Sequence, residues 1–247
     1  EIFERAVELE PENAKAWTNI GVTWQQFGGM EKAKHAYEKS LAINPKSAEV
    51  SNNLGAIEKD AGNWESARAY FEKATEISPD FSQAYSNLGV TLQELGRLEE
   101  AEASHRQAIA LKPDFAQFHS NFGNTLRDLG RIEEAEASYR QAIAFKPDFA
   151  EAHSNLGITL KDLGRLEEAL NSVVASLKIK PTANAKNLFA SISMYIAPKS
   201  WDAALSEMVI SALLAPWARP SSVMGVACRL LKLDAGFMRV LNQTNGH

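Results

Sequence analysis

Asparagines recur every 34 residues along the chain, at Asn19, Asn53, Asn87, Asn121 and Asn155, each beside a large apolar residue and a glycine. The motifs read "TNIG", "NNLG", "SNLG", "SNFG" and "SNLG". A carboxamide offers one acceptor and two donors, so it can pair with both the C=O and the N–H of a peptide bond. Asparagine is a middling helix former that gains nothing obvious from a mid-helix site. A row of them, one per repeat, would read an extended polypeptide backbone irrespective of its side chains. At about 0.5–1.5 kcal/mol per hydrogen bond, such a row reaches micromolar affinity and no more. The alternative is that each asparagine bonds to a neighbouring repeat or faces water.

Other residues with chemical capacity read more simply. Glu99-Glu100, Glu133-Glu134 and Glu167-Glu168 fall in the first turn of expected helices, where negative charge complements the helix dipole. His105, His119 and His153 recur one per repeat at positions suited to packing aromatics, and they form no metal-ligand cluster. Glycine-rich phosphate loops, nucleophile elbows and zinc spacings are missing from the sequence, and no cofactor is expected. "NQT" at 242–244 matches a glycosylation acceptor, but no signal peptide accompanies it. The single cysteine, Cys228, permits no internal disulfide and fits a reducing, cytoplasmic compartment.

The elements that must position the asparagines follow from the period. Prolines fall at 11, 45, 79, 113, 147 and 181; glycines at 21, 55, 89, 123 and 157 and again at 28, 62, 96, 130 and 164. Each unit reads as two helices, such as "FAQFHSNFGNTLRDLG" followed by "RIEEAEASYRQAIAFKP". The second glycine supplies a left-handed residue after the first helix, and proline stops the second. Asp80, Asp114 and Asp148 are expected N-caps for the helices that follow. Phe81, Phe115 and Phe149 are expected to wedge between repeats.

A 34-residue helix-turn-helix unit with these offsets resembles the tetratricopeptide repeat. Trp17, Ile20, Gly21, Trp24, Ala33, Tyr37, Ser40 and Pro45 carry the likeness in the first full unit. It covers five units, at 14–47, 48–81, 82–115, 116–149 and 150–183, and a half unit at 1–13 in which Phe3, Ala6 and Pro11 fit a second helix. The resemblance implies an all-α, right-handed superhelical solenoid whose first helices line a concave groove. The half unit also suggests a chain cut from something longer.

With the first glycine of a unit numbered 8 and about 100° turned per residue, positions 4, 7, 8 and 11 form the core face. Positions 2, 5, 6, 9, 12 and 13 lie on the opposite arc. Asparagine is position 6, on the side that the resemblance makes concave. The same arc carries Thr18, Asn52, Ser86, Ser120 and Ser154 at position 5. It carries Gln25, Lys59, Gln93, Arg127 and Lys161 at position 12, and Gln26, Asp60, Glu94, Asp128 and Asp162 at position 13.

The Ser-Asn-Leu arrangement is similar to one subfamily, the N-terminal repeats of O-linked N-acetylglucosamine transferase and bacterial proteins like them. That likeness implies that Asn19, Asn53, Asn87, Asn121 and Asn155 hold the backbone of a substrate polypeptide. Repeats that clamp a chaperone carboxylate want basic residues at positions 2, 5 and 6, where full units here offer only Lys15. The chain is therefore expected to be a non-catalytic scaffold for extended protein or peptide. Alternatives are the substrate-recruiting arm of a larger transferase and a self-associating repeat protein.

The whole chain sets outer bounds. Its 247 residues carry net charge −5 and 45% hydrophobic residues, an ordinary globular balance. No apolar run is long enough to span a membrane, and no dense basic patch invites nucleic acid. The charge is uneven: net −8 over residues 1–183 and +3 over 184–247. In that tail Phe189 stands at position 6 and Tyr195 at position 12, and Ser191 and Pro198 replace the glycines. Three readings of the tail stay open. It plugs the groove through Phe189 and Tyr195, it self-associates or docks a partner, or it joins a further domain.

Overall fold

The computed structural model describes residues 10–193 and Tyr195. Residues 1–9 and most of the tail, with Cys228 and the 242–244 triplet, lie outside the described residues. Among the described residues every regular element is helical, in the order α1 (Ala14–Gln26), α2 (Met30–Ile43), α3 (Ala48–Asp60), α4 (Trp64–Ile77), α5 (Ser82–Glu94) and α6 (Leu98–Leu111). There follow α7 (Ala116–Asp128), α8 (Ile132–Phe145), α9 (Ala150–Asp162), α10 (Leu166–Ile179) and α11 (Ala183–Ser193). The fold class is the all-α helical-repeat solenoid. The chain divides into two compact units, Glu1–Leu129 with α1–α7 and Gly130–His247 with α8–α11.

In the first unit each odd-numbered helix packs on its successor, α1 on α2, α3 on α4 and α5 on α6. Each pair then packs on the next through α2–α3, α4–α5 and α6–α7. The core follows that alternation. Ala33 and Tyr37 of α2 meet Val50, Leu54 and Ile57 of α3, while Ala67 and Phe71 of α4 meet Leu88 and Leu92 of α5 and Ala101 of α6. An apolar face that one hairpin leaves open is thus closed by its neighbour, as stacked repeats require. Burying a side chain such as Phe71 completely contributes on the order of 1.5–3 kcal/mol.

Two kinds of glycine permit this packing. Gly62 takes φ +78 at the end of α3, a left-handed conformation that turns the chain so that the next N–H, of Asn63, returns to the Glu58 carbonyl at 2.9 Å. Gly55 has ordinary helical backbone, but a Cβ there would lie 2.7 Å from the Phe71 ring. The small residue is the condition for the aromatic one.

The expected aspartate caps are corrected. Asn13 and Ser47 do cap α1 and α3, accepting from the N–H groups of Ala16 and Val50 at 3.0 and 3.3 Å. Before α5, α7 and α9 the N-cap position holds Phe81, Phe115 and Phe149, with no side-chain cap bond. The reason is a turn: Phe81 N–H closes onto the Ser78 carbonyl at 3.0 Å, leaving Pro79 and Asp80 at its centre. Asp80 accepts instead from the Ser78 hydroxyl. Phe115 lies against Phe118 with ring centroids 4.6 Å apart, and Lys112 sits 4.4 Å over its ring.

In the second unit α9 packs on α8 and α10, and α11 covers α10 and α9. Val173 and Leu177 of α10 are buried, as are Ala185, Phe189 and Ile192 of α11. The core continues into α11 although its first-glycine position has become Ser191.

Candidate functional site

The ladder face of the first unit is built from α1, α3, α5 and α7. Asn19 is exposed, and Asn53, Asn87 and Asn121 are half-buried. Their side chains differ in their partners. Asn19 has no side-chain hydrogen bond among the described residues. Asn53 bonds to the hydroxyl of Tyr37, which itself donates to Gln25 Oε1 at 3.0 Å. Burial, partly offset by the Asn53 bond, pushes that hydroxyl up to about 12.

Asn87 and Asn121 share one arrangement. Asn87 Nδ2 donates to Asn52 Oδ1 at 2.9 Å, and Asn121 Nδ2 donates to Ser86 Oγ at 3.1 Å, each reaching back one repeat. Their oxygens accept from Gln83 Nε2 at 3.1 Å and Gln117 Nε2 at 2.9 Å, one helical turn earlier. Each carboxamide therefore spends one donor and one lone pair inside the protein. One N–H and one lone pair remain on each.

Position 5 is more covered in α3, α5 and α7 than in α1 or α9, where Thr18 and Ser154 are half-buried. Ser86 and Ser120 are fully buried and Asn52 is nearly so. A small polar side chain here sits under the neighbouring helix, where Asn52 and Ser86 serve as acceptors for the next asparagine. Positions 12 and 13 are more open. Lys59 is half-buried, its Nζ 3.5 Å from Asp60. Gln93 Nε2 donates to Asp128 Oδ2 at 2.6 Å, while its Oε1 accepts from Thr125 Oγ1 at 3.1 Å. Arg127 is half-buried and its Nη1, shielded from solvent, has no acceptor among the described residues. Glu94 is exposed.

The second unit carries Asn155 on α9, half-buried, with Lys161 half-buried and Asp162 exposed in the same helix. Ser176 Oγ donates to the Ala150 carbonyl at 2.8 Å. Ser154 Oγ lies 2.7 Å from Ser176 Oγ, so the proton of that contact comes from Ser154. Ser154 thus ties α9 to α10. Phe189 is buried in the core of α11, so the side chain expected as a plug is a packing residue. Tyr195 is 66% exposed.

The other chemical candidates resolve locally. Glu100 and Glu168 hold the N-cap arginines Arg97 and Arg165 in two-pronged ion pairs, and Glu134 holds Arg131 likewise. All three glutamates are exposed. Of the three histidines expected in the core, only His105 is buried. His119 and His153 are half-buried, with Nε2 2.7 and 2.9 Å from the carbonyls of Pro113 and Pro147. Because a carbonyl only accepts, Nε2 carries the proton in both. Trp17 Nε1 makes the same clasp to Pro11 at 2.9 Å.

An apolar cavity of about 360 Å³ lies between Trp17, Ile20, Trp24, Lys32 and His35, on the core side of α1 and away from the ladder. Among the described residues no histidine, cysteine or carboxylate group is arranged to hold a metal. No described helix is long and apolar enough to cross a membrane. Gln83 and Gln117 were not among the expected site residues. The signal was legible: both sit four residues before an asparagine, the spacing at which side chains meet on a helix.

Comparison with known proteins follows the same lines. Family models described as tetratricopeptide repeat match residues 14–47, 46–114 and 150–182, and one described as TPR repeat matches 123–164. No curated protein matches the chain in sequence. Among solved structures, TTC0263, a thermophilic TPR protein of Thermus thermophilus, is 26% identical, with TM-score 0.59 over 72% of this chain and 98% of its own. YrrB, described as a TPR protein with an unusual peptide-binding site, is 23% identical, with TM-score 0.61 over 76% of this chain and 97% of its own. The pilF protein of Pseudomonas aeruginosa, 17% identical, has TM-score 0.72 over 87% and 97%.

Proposed function

The chain belongs to the tetratricopeptide repeat family, and on that premise we propose that it is a non-catalytic scaffold holding extended polypeptide along its ladder face. The observation that carries this reading is the matched pair Asn87 and Asn121. Both are fixed by the same internal bonds one repeat apart, and both keep an unspent N–H. Asn19 and Asn53 extend the row in the first unit, with Lys59, Gln93, Arg127 and Asp128 at positions 12 and 13; Asn155, Lys161 and Asp162 hold the same repeat positions in the second unit. YrrB has a peptide-binding site on the same kind of fold. The internal bonds leave about one ligand bond per rung, so affinity for any one sequence is weak, micromolar or poorer.

The test is binding of the intact chain to an array of unstructured peptides, beside the Asn87→Ala, Asn121→Ala, Asn155→Ala triple variant checked for unchanged helicity. Broad binding that the variant loses supports the ladder. Binding that the variant keeps moves the site elsewhere. A second reading, the substrate-recruiting arm of a larger transferase, draws on the Ser-Asn-Leu triplets at 86–88 and 154–156. Transferase activity in the complete gene product would decide it.

A further inference from the structure

We infer that the apolar cavity on α1 and α2 is a seat for a short amphipathic helix, and that its occupant is the chain's own segment 2–9, with Phe3 laid over Ile20 and Trp24. Occupied in this way, the face is closed by the chain itself and offers no surface to a second copy.

The cavity, about 360 Å³, is lined by Trp17, Ile20 and Trp24 of α1 and by Lys32, His35 and Ala36 of α2. Its floor is apolar, since Ile20 and Ala36 are buried. At the rim His35 meets Trp17 edge-on, with ring centroids 6.4 Å apart, and Lys32 Nζ stands 4.0 Å over the Trp24 ring. An apolar trough edged with polar groups suits the inner face of an amphipathic helix.

The repeats that follow show what covers such a face. Leu54 of α3 meets Tyr37 of α2, and Leu88 and Leu92 of α5 meet Phe71 of α4, with both rings fully buried. Ile20 stands 34 residues before Leu54, and Trp24 stands 68 before Leu92. The residue at the same spacing before Tyr37 and Phe71 is Phe3. Its neighbours keep the register. Ile2 and Ala6 correspond to Ala36 and Ser40, both buried, and Val7 to Leu41, which packs against the core. Glu4, Arg5 and Glu8 correspond to Glu38, Lys39 and Ala42, all exposed. Apolar and charged residues of 2–9 thus fall on the faces that a helix over α1 and α2 would need.

The way the chain enters α1 places this segment at the cavity. Trp17 Nε1 donates to the Pro11 carbonyl at 2.9 Å, and Glu10 accepts from the Asn13 backbone N–H at 3.1 Å and from Asn13 Nδ2 at 2.8 Å. Pro11 is therefore held against a wall of the cavity. His119 clasps Pro113 in the same manner where α6 runs into α7, and α6 packs on α7. Eight residues of helix extend about 12 Å, close to the length of α1 from Trp17 to Trp24. So short a helix is marginal alone in water, and its apolar face must find the cavity to hold its form.

The experiment uses the full chain with isoleucine methyl groups labelled, read by NMR. The Ile20 δ-methyl is expected to show nuclear Overhauser contacts to an aromatic ring that vanish in Phe3→Leu. Phe3→Asp is expected to shift the indole N–H signals of Trp17 and Trp24 and to lower the thermal midpoint by about 5 °C. Phe3→Tyr, which matches Tyr37 in register, and Arg5→Ala should stay within about 2 °C of native. Should Phe3→Asp not fold, the contacts in the intact chain decide. A sample mixing methyl-labelled, deuterated protein with protonated protein separates the occupants: contacts from Ile20 that appear only there put a second copy in the seat and overturn the inference. Unchanged indole signals and midpoint in Phe3→Asp, with no contact between Phe3 and Ile20, leave the seat to a separate partner and overturn it equally.

Discussion

The imidazole of His105 lies face-on against Gly89: a Cβ at that glycine would come within 2.6 Å of Cε1 and 2.7 Å of both ring nitrogens. His105 occupies the position that holds Tyr37 and Phe71 in the two preceding repeats. The ring of α6 and the bare backbone of α5 thus form one contact. Gly89→Ala is expected to force the ring aside and cost about 1–3 kcal/mol, read as a lower midpoint in chemical denaturation. Gly96→Ala meets no neighbour but must hold φ +73, so its cost is one of backbone conformation alone, about 1 kcal/mol. Equal tolerance of Ala at 89 and at an exposed helical site would refute the close approach.

The same ring makes stability depend on pH. Among the described residues neither nitrogen of His105 has a hydrogen-bond partner, and burial pushes its pKa down to about 4. The unfolded chain, with an ordinary histidine near 6.5, binds the proton first. Stability conferred by the neutral ring is therefore complete above about pH 6.5 and is lost progressively as pH falls toward 4, by up to about 3 kcal/mol. His105→Phe should remove that slope, which denaturation series at pH 7 and pH 5 would reveal.

Lys34 and Glu58 join the first two repeats through a contact of 2.6 Å, and Glu58, buried, also accepts from Asn63 Nδ2 at 2.8 Å. The Lys34 ammonium, more than Asn63, holds the Glu58 carboxyl below its usual value against the opposing effect of burial. Its contribution is present above the ordinary carboxylate pKa and lost as pH falls through the lowered one. Glu58→Ala is expected to cost about 1–3 kcal/mol at pH 7 and progressively less at acid pH. A variant as stable as wild type at neutral pH would show the pair to be incidental.

Asn87 and Asn19 should behave differently when truncated. Asn87→Ala strands the Asn52 oxygen and the Gln83 amide, costing about 1–2 kcal/mol, whereas Asn19→Ala breaks no side-chain bond and stays within about 0.5 kcal/mol. Thermal midpoints of the two single variants check this. They also calibrate how much of any binding loss at Asn87 reflects structure.

In the second unit Arg165 binds Glu168 of its own helix and reaches Glu136 of α8 at 2.6 Å, while Arg140 joins the same two glutamates at 2.8 and 3.2 Å. Arg140, Arg165 and Glu168 are open to water, while Glu136 is largely covered, so salt should screen most of the network. Arg165→Ala is expected to lower the thermal midpoint at low ionic strength and to match wild type at about 1 M salt. A difference that persists unchanged in salt would mean that the side chain acts by packing.

The sequence alone determined the helical repeat, its period and its closest contacts. Period and glycine placement are local properties: Gly62 needs a left-handed backbone, Gly55 needs to be bare, and a helix of given length presents given positions to its partner. The asparagine row was equally legible, since it recurs at one offset. Only the tertiary structure decided what that row is bonded to. A helical wheel puts Ser86 and Asn52 on the ladder arc, but the neighbouring repeat covers them and turns them into acceptors for Asn121 and Asn87. The Asp80 cap failed for a like reason, because proline at the centre of a turn claims the next residue before the helix begins. Hydrogen-bond partners one repeat away are set by packing between chain segments 34 residues apart, and periodicity within a single helix carries no record of them.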